Sequence, residues 1–401
     1  MTDWRVFTTS WKTNQLLADL PFSGLEFSNA VNSAGRCQIK IQMNDPRIMD
    51  LDLVKATQRG QSVMWVEYQG ILVWGGLVQQ RRYTRSSGWL EVTANTFSAY
   101  YSRRWQAKDY SYTWMAPADP MAIATTVIND ATAIANSLLN GNGSNVGIPF
   151  EVVQFGQTPL TNWVTMSYPS IQLQTLEMIV STLTEMGYKV GFDYLDYVQW
   201  DKGVPTAQFW VANPYVGRTP QVSQLVADVE QSIDFVPSED ASKLGNSIVE
   251  MSTAAGSVMV FNQWAPAQIE YPLMQKIEMH PDINSTPNVP IVLDALAQSD
   301  LVLTAYGGDT IALTFPIQGA SLEFGQFTAG DGLRLQYFGT DPSYKTTDPR
   351  FPRGLDSNWR VLHYQVNVPE KGVATMRLTL NVLPQAYPTE SGLSVSGVPN
   401  A

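Results

Sequence analysis

The sequence predicts a mainly β protein in which two small β-barrels flank an α+β insert. One strand pattern occurs twice along the 401 residues: an alternating strand, a loop that contains glycine, and a long hairpin that turns into a final strand. Between the two copies, apolar residues recur at helical spacing instead of strand spacing. A duplicated barrel in one chain indicates a scaffold that builds rings, because few subunits then supply many similar modules.

The first copy is expected at residues 1–104. Its strands are predicted from period-2 alternation between turn residues at residues 4–9, 15–20, 22–30, 37–43, 61–68, 71–84 and 89–94. Gln69-Gly70 is expected to form a two-residue hairpin loop, with glycine supplying the positive φ. Gly75-Gly76 predicts a bulge or sharp bend of the kind that curls a sheet into a barrel.

The α+β insert is expected at residues 105–220. Asp119-Pro120 begins a helix by supplying an N-cap aspartate and a first-turn proline. Ser170 is predicted to cap a second helix that ends at Gly187. The strands of the insert are predicted at residues 188–200 and 207–211.

The second copy is expected at residues 221–383, with one helix at 290–304. Its strands are predicted at residues 229–235, 246–252, 257–262, 310–315, 333–338, 359–368 and 373–383. A long loop at 339–358, rich in Pro, Asp and Gly, stands where the first copy has a two-residue turn. Loops of this length are usually functional or ordered by a partner. Residues 384–401 predict an extended C-terminal arm.

Composition limits the possible functions. Only 15% of the residues are charged, which indicates a surface that is covered by other subunits or exposed outside cells. The net charge of −11 argues against sequence-independent nucleic-acid binding. It is compatible with a passage through which DNA slides without sticking.

Cysteine usage and the absence of long apolar segments limit the possibilities further. Cys37 is the single cysteine, which excludes an internal disulfide and a cysteine-based zinc site. Its position in an alternating strand predicts a small buried hydrophobe. No targeting segment and no run near the ~18 apolar residues of a membrane span is visible. We therefore expect a soluble protein, made in the host cytoplasm, without a membrane anchor.

The sequence predicts no catalytic, cofactor-binding or metal-binding residue. His280 and His363 have no Cys, His or Glu at metal-ligand spacing, and neither HExxH nor G-x-S-x-G occurs. Two carboxylates would suffice for glycoside hydrolysis. Asp193 and Asp196 are candidates, but their odd spacing places them on opposite faces of a regular strand. Glu239-Asp240 lies in a turn, so we expect that the protein is not an enzyme.

Short motifs along most of the chain point to one family of viral proteins. They lie at residues 20–28, 43–47, 73–76, 101–104, 119–124 and 239–246. Through these motifs the chain resembles the minor tail proteins of long-tailed phages that infect actinobacteria. More distantly, it resembles the baseplate hub (tail-associated, Tal-like) family. None of the motifs is catalytic.

The resemblance implies a homotrimer in which each subunit contributes two tube-type β-barrels. Six barrels would form a quasi-sixfold ring beneath the hexameric tail tube, with the DNA channel running through it. The protein would be a structural hub of the virion's tail tip and a symmetry adaptor that closes the distal end of the tube. Its expected partners are the distal tail and tail tube ring proteins, the tape measure protein and other tip proteins. Loop 339–358 and the arm are the expected contacts with other tip proteins.

Two other functions stay open. A distal tail ring protein is normally a hexamer with one tube barrel per chain, so the number of barrels and subunits distinguishes it. A glycan-binding or glycan-cleaving tail protein would have exposed aromatic residues along a groove with two close carboxylates. Many relatives carry further domains for adhesion or wall cutting, whereas this sequence stops soon after its second copy. We therefore expect neither receptor binding nor lysis from it.

Overall fold

The computed structural model describes residues 3–106, 108–138, 150–156, 163–238, 240–252, 258–263, 272–279, 289–304, 310–337, 351 and 354–382. These residues form the mainly β fold that the sequence predicts, with helices concentrated in the middle of the chain. Most strands belong to one sheet of 13 strands, and three small sheets of two or three strands accompany it.

The N-terminal part of the chain forms seven strands. They are β1 (Trp4–Ser10), β2 (Leu16–Asp19), β3 (Gly24–Ala30), β4 (Arg36–Gln42), β5 (Ser62–Tyr68), β6 (Ile71–Thr84) and β7 (Trp89–Asn95), with helix α1 at Leu53–Ala56. In β3, β4 and β7 buried residues alternate with half-buried or exposed ones. Gln69 and Gly70 have φ angles of 49° and 84°. This is the two-residue hairpin turn that the sequence predicts between β5 and β6.

The helices and strands in the middle of the chain are called the α+β insert below. They are β8 (Tyr110–Ala118), α2 (Pro120–Leu138), β9 (Phe150–Phe155), β10 (Val164–Tyr168), α3 (Leu176–Thr184), α4 (Gly187–Val190), β11 (Asp193–Asp201) and β12 (Val204–Ala212). Asp119 caps α2 as predicted, because its carboxylate accepts a hydrogen bond from the backbone N–H of Met121 at 3.0 Å. Helix α3 starts later than predicted, since Thr175 and not Ser170 is its N-cap.

The remaining elements complete the main sheet and add a small sheet with one helix. They are α5 (Pro220–Ser223), β13 (Leu225–Asp228), β14 (Asp234–Ser238), β15 (Ser247–Ser252), β16 (Val258–Gln263), β17 (Gln275–Met279), α6 (Val289–Thr304), β18 (Thr310–Pro316), β19 (Gly332–Tyr337), β20 (Leu355–Val368) and β21 (Thr375–Val382). The single strand predicted at 229–235 is wrong. A 3₁₀ turn at Val229–Gln231, capped by Asp228, separates β13 from β14.

The long loop predicted at 339–358 is shorter at its C-terminal end, since β20 already begins at Leu355. Residues 338–350 and 352–353 lie outside the described residues, as does the predicted arm at 384–401. The division of the chain at residues 104, 220 and 383 stays a prediction.

Two sets of six strands have the same order within the main sheet. Repeat A is β3-β4-β7-β6-β5-β1, and repeat B is β14-β18-β21-β20-β19-β13. The hairpin units predicted to correspond, β5–β6–β7 and β19–β20–β21, therefore occupy equivalent places. The last strand differs, because β1 is antiparallel to β5 whereas β13 is parallel to β19.

The pairing register of the two repeats also agrees. Thr310 of β18 lies opposite Asn381 of β21, as Arg36 of β4 lies opposite Asn95 of β7. From these positions both ladders run for seven residue pairs without a shift. This agreement in register makes the duplication a property of the backbone as well as of the sequence pattern.

A bulge interrupts the long strand of each repeat at the same place. The register shifts directly after Val78 in β6 and directly after Val361 in β20. A glycine in the left-handed region packs against each site. The N–H of Gly60 donates to the carbonyl of Val78 at 2.8 Å, and the N–H of Gly330 donates to that of Val361 at 2.7 Å. Glycine serves here because it adopts positive φ without steric cost.

Two separate closed barrels are not found among the described residues. Strand β20 of repeat B pairs with β3 of repeat A, so both repeats belong to one continuous sheet. Their buried side chains also belong to one apolar cluster. The prediction of two isolated barrels relied on strand patterns within each copy, and such patterns do not specify which edge strands pair.

The bulge predicted at Gly75-Gly76 lies at neighbouring residues of β6, since the register shifts at Val73 opposite β5 and after Val78 opposite β7. Both glycines keep the regular register, opposite Trp65 and Met64. A Cβ atom on Gly75 would lie 2.4 Å from the ring of Trp65, and one on Gly76 would lie 2.2 Å from the carbonyl oxygen of Asn95. Glycine is required at both positions because neighbouring groups approach the backbone closely.

A second apolar cluster fills the insert and extends beyond it. Helices α2 and α3 bury their apolar stripes there, including Ile123, Val127 and Ile179. Helix α6, which the sequence places in the second copy, contributes Val292 and Leu296 to the same cluster. The helix therefore packs with the insert.

Candidate assembly interface

The junction between the repeats is an antiparallel ladder of six residue pairs. Residues 25–30 of β3 lie opposite residues 363–368 of β20. Phe27 and Val366 form one of these pairs, and both are fully buried. The junction thus combines strand pairing with an apolar inner face, as within a single sheet.

Arg360 of β20 attaches the insert to repeat B. Its guanidinium, only 7% exposed, lies 2.7 Å from the carboxylate of Asp193 in β11. It also donates to the carbonyl oxygens of Val216 at 2.9 Å and Gly330 at 3.1 Å. The guanidinium carbon lies 5.1 Å from the ring centre of Tyr215. A buried charge with this many partners is costly to leave unpaired, so Arg360 fixes the geometry of this contact.

Asp196 of β11 attaches the insert to repeat A. Its buried carboxylate accepts hydrogen bonds from the N–H of Ser98 at 3.1 Å and from the hydroxyl of Ser98 at 2.5 Å. Ser98 lies at the start of the 3₁₀ segment Phe97–Arg103. The backbone carbonyl of Asp196 accepts from the amide of Asn29 at 3.0 Å. Burial raises the pKa of Asp196, and the hydrogen bonds from Ser98 and Thr96 oppose that rise.

The candidate carboxylates Asp193 and Asp196 serve different contacts, since Asp193 binds Arg360 and Asp196 accepts from Ser98. This agrees with the odd spacing that predicts opposite faces of the strand. Asp193 also accepts a hydrogen bond from the side-chain amide of Asn32, at 2.6 Å, in the β3–β4 loop. Strand β11 is thus held to both repeats near their junction.

Part of the edge of β6 is covered by no other described strand. It is residues 80–84, because β5 pairs with β6 only as far as Leu77. Tyr83 on this edge is 55% exposed. Uncovered strand edges are templates for pairing with another chain.

An aromatic cavity of about 490 Å³ opens between the insert and repeat B. Tyr197 stacks on Trp210 within it, with ring centres 3.8 Å apart. Among the described lining residues the carboxylate is that of Asp331, which Arg218 binds at 2.6 Å. The cavity therefore does not show the two close carboxylates that glycan cleavage requires.

The histidine and the cysteine that could have indicated metal or thiol chemistry lie within strands. In the part of the chain that the structure describes, no group of three His, Cys, Asp or Glu side chains could hold a metal ion. His363 lies in β20, where burial and nearby Arg377 lower its pKa. Cys37 is fully buried in β4, and burial raises the pKa of its thiol, as expected of a small hydrophobe.

One of the remaining candidates, Asp240, lies among the described residues. Asp240 caps a short turn, since its carboxylate accepts from the N–H of Ser242 at 3.0 Å. Its neighbour Glu239 and the second histidine, His280, lie outside the described residues. The role of Arg360 was not predicted from the sequence. The pattern that could have indicated it is a charged residue inside an otherwise apolar strand segment.

Comparison with known proteins gives a clear result for the fold. No protein-family model matches the sequence, and no curated protein matches it. The structure is similar to a tail protein from Neisseria meningitidis MC58, with a TM-score of 0.58 and 11% identity over 96% of this chain and 100% of that one. It is also similar to the 43 kDa tail protein of prophage MuSo2 from Shewanella oneidensis, with a TM-score of 0.56 and 10% identity over 95% and 98% of the two chains.

The chain has the fold of these tail proteins. A third similarity is to the Francisella PdpA–VgrG complex, with a TM-score of 0.50 and 9% identity, covering 98% of this chain and 60% of that one. At such low identities the likeness concerns the fold alone. Among the described residues, no helix has the length and apolar character to cross a membrane.

Proposed function

We propose that the chain is a structural hub of a phage tail tip, a homotrimer that joins the sixfold tail tube to a threefold tip. The pair of equivalent six-stranded repeats in one sheet carries this proposal. Three such chains present six equivalent strand sets, which is the number that a hexameric tube requires. A distal tail ring protein with one barrel per chain would need six subunits for the same purpose.

The ring is the distal part of the DNA channel, and its inner wall is neutral to acidic. The excess of 36 acidic over 25 basic residues supports this assignment. A wall lined by Lys and Arg would hold the phosphates of the passing genome, whereas an acidic wall releases them. The hub acts by assembly, without turnover of a substrate.

The proposed partners are the distal tail and tail tube ring proteins, the tape measure protein and other tip proteins. Residues 339–354 and 384–401 are the proposed contacts with the tip. The protein is made in the host cytoplasm and functions in the virion. The similarity in fold to phage tail proteins supports this location.

The test is the stoichiometry of purified tail tips. Native mass measurement of the hub complex is expected to give three copies of the 44.5 kDa chain per tip. Cryo-electron microscopy of the same particles is expected to place six strand sets around the channel. A monomer or a hexamer in the assembled tip, or a lumen lined with Arg and Lys, contradicts the proposal.

A further inference from the structure

We infer that the aromatic cavity between the insert and repeat B binds a short, uncharged oligosaccharide, as found in polysaccharides of the host envelope. Binding of the sugar does not depend on the number of subunits, because described residues of one chain line the cavity. The inference departs from the expectation, stated above, that the chain does not bind a receptor. An aromatic face, a neutral pair of charges and unused hydrogen-bonding groups carry it.

The floor of the cavity is one face of the three-stranded sheet β11-β12-β9. Tyr197 of β11 lies opposite Gln208 of β12, and Ala212 of β12 lies opposite Phe155 of β9. Residues two apart in a strand share a face, so Trp210 lies on the same face as Tyr197 and Phe155. Each strand of this sheet therefore contributes one aromatic ring to the cavity.

The two faces of this sheet differ in burial. Phe209 and Val211 on the opposite face are fully buried in the apolar cluster of the insert. Phe155 on the cavity face is 43% exposed, and Tyr197 and Trp210 are half-buried. The outer face of a half-buried sheet usually carries polar side chains. An aromatic outer face that stays partly exposed therefore indicates a surface for binding.

The rings of the floor are held in place by their neighbours. Tyr197 stacks on Trp210 with ring centres 3.8 Å apart and ring planes 20° apart. Phe155 contacts Trp210 edge to face, with ring centres 5.0 Å apart. The indole N–H of Trp210 donates to the side-chain oxygen of Gln208 at 2.9 Å. Binding therefore requires little ordering of these side chains.

The charged residues of the cavity neutralise each other. Arg218 donates to the carboxylate of Asp331 through Nη2 at 2.6 Å and through Nε at 3.2 Å. The backbone N–H of Thr328 donates to the same carboxylate at 3.0 Å. Among the described lining residues, Arg218 and Asp331 are the charged ones. A charged ligand would have to compete with this pair, so the cavity favours an uncharged ligand.

Two polar groups at the cavity are unused. The hydrogen bonds of the Arg218 side chain to described residues involve Nε and Nη2, which leaves the N–H groups of Nη1 for a ligand. Tyr215 also lines the cavity and is 7% exposed. Its hydroxyl is buried without a hydrogen-bond partner among the described residues. Buried polar groups normally have a partner, so a ligand that supplies one is favoured.

A pyranose ring matches this combination of groups. It packs its C–H face on flat aromatic side chains, while its hydroxyl groups donate and accept hydrogen bonds at the edge. The cavity volume of about 490 Å³ lies within the range of about 300–1,000 Å³ that is usual for small-molecule sites. A purely apolar ligand would cover the rings but leave Arg218 and Tyr215 unpaired. The cavity therefore favours a ligand with both an apolar face and hydroxyl groups.

Titration calorimetry with defined sugars tests the site in the purified full-length chain. The probes are uncharged trisaccharides of glucose, galactose, mannose and N-acetylglucosamine, and the charged control is a trisaccharide of galacturonic acid. At least one uncharged probe is expected to bind with a Kd of roughly 1 mM or below. The charged control is expected to bind more weakly. Absence of binding by every uncharged probe, or tighter binding of the charged control, overturns the inference.

Matched variants locate the bound sugar. Phe155→Ala removes an exposed ring from the floor and is expected to weaken binding of the best probe by about fivefold. Arg218→Lys keeps a positive charge opposite Asp331 but removes Nη1, and it is also expected to weaken binding. The control is Tyr83→Ala, which removes a ring that is 55% exposed in β6 and should leave the affinity unchanged. Equal affinities of Phe155→Ala and the wild type overturn the inference.

Hydrogen exchange in the unchanged chain covers the case in which a variant folds poorly. Saturation with the best probe is expected to slow amide exchange in residues 210–218 and 325–331 and to leave β1 and β2 unchanged. Protection elsewhere, without protection of these residues, overturns the inference. Displacement of the sugar by an octaproline peptide that binds more tightly would assign the cavity to a partner protein and also overturns it.

The source of the sugar rests on the proposed place in the tail tip and is tested separately. Polysaccharide released from cells to which purified tails adsorb is expected to displace the bound probe, whereas glycans released from the virions are not. The reverse result overturns the host envelope as the source. None of these outcomes changes the subunit count of the tip, so failure of this inference and failure of the trimeric hub are distinguishable.

Discussion

Repeats A and B share the order of their strands and the register of the ladders β4–β7 and β18–β21, but they differ in what their connections carry. In repeat A, β5 and β6 are joined by Gln69-Gly70, and β3 and β4 by residues 31–35. The equivalent connections of repeat B span residues 338–354 and 239–309. The long insertions thus lie in connections, whereas the ladder of β5 with β6 differs from that of β19 with β20 by a single bulged residue, Val73.

A second difference lies within the strands themselves. Leu77 of β6 and Arg360 of β20 occupy equivalent positions, opposite Asn95 and Asn381 respectively. Both side chains are buried. Repeat A packs an apolar side chain there, whereas repeat B uses a charge to hold Asp193 of the insert. The two repeats have the same backbone arrangement at this position. They differ in the side chain because repeat B binds the insert here through a buried ion pair and repeat A does not.

The largest expected effect is the loss of this ion pair. The change Arg360→Ala leaves Asp193 without its buried partner and is expected to lower the free energy of unfolding by about 3–5 kcal/mol. The matched control is Arg334→Ala, which removes an exposed ion pair with Asp356 in the same repeat and is expected to change little. Denaturant titration of both variants measures the two losses of unfolding free energy. Equal losses would show that Arg360 does not hold the insert to repeat B.

Matched core substitutions test whether the repeats are one folding unit. Ile39 of β4 and Leu313 of β18 are counterparts, and both are fully buried. Ile39→Ala and Leu313→Ala are each expected to cost about 2–5 kcal/mol. Because the repeats share one sheet and one apolar cluster, both changes should move the same unfolding transition. Two separate transitions, each sensitive to one variant, would mean that the repeats fold independently.

The contact of the insert with repeat A is expected to depend on pH. Burial raises the folded-state pKa of Asp196 above its unfolded value, which is about 3.9. The stability that this carboxyl contributes is therefore fully present below the unfolded pKa and lost as pH rises through the folded pKa.

The variant Asp196→Asn removes this titration while keeping an oxygen for Ser98. The difference in unfolding free energy, wild type minus variant, is expected to decrease as pH rises from about 4. Asp196→Ala, which leaves the N–H of Ser98 without this acceptor, should cost about 1–3 kcal/mol. A wild-type-minus-Asn difference that is independent of pH would rule out the assigned role.

The smallest effect is expected at the outer strands of repeat A. Arg5 of β1 pairs with Asp19 at 2.7 Å and with Glu67 at 3.2 Å, with its side chain 43% exposed. Arg5→Ala should cost less than about 1 kcal/mol, since exposed ion pairs contribute little. The loss should shrink further in high salt. A loss as large as that of Arg360→Ala would remove the distinction between surface and buried ion pairs.

Much of the fold could be predicted from local sequence. The alternation in β3, β4 and β7 follows from the two faces of a half-buried strand, and the Gln69-Gly70 turn follows from the φ values that its hairpin requires. That Asp193 and Asp196 bind different partners was also predictable, because strand geometry places residues at odd spacing on opposite faces. Gly75-Gly76 misled, because glycine signals close approach and bulges alike.

The sequence by itself indicated most strands of the two repeats, the hairpin turn at Gln69-Gly70, and that the strand set occurs twice. These properties depend on side-chain alternation and turn stereochemistry, which act over a few residues. Only the tertiary structure decided that β20 pairs with β3, that α6 packs with the insert, and that Arg360 meets Asp193. Backbone groups at a strand edge are chemically alike in every strand, so the choice of partner depends on how distant segments pack together.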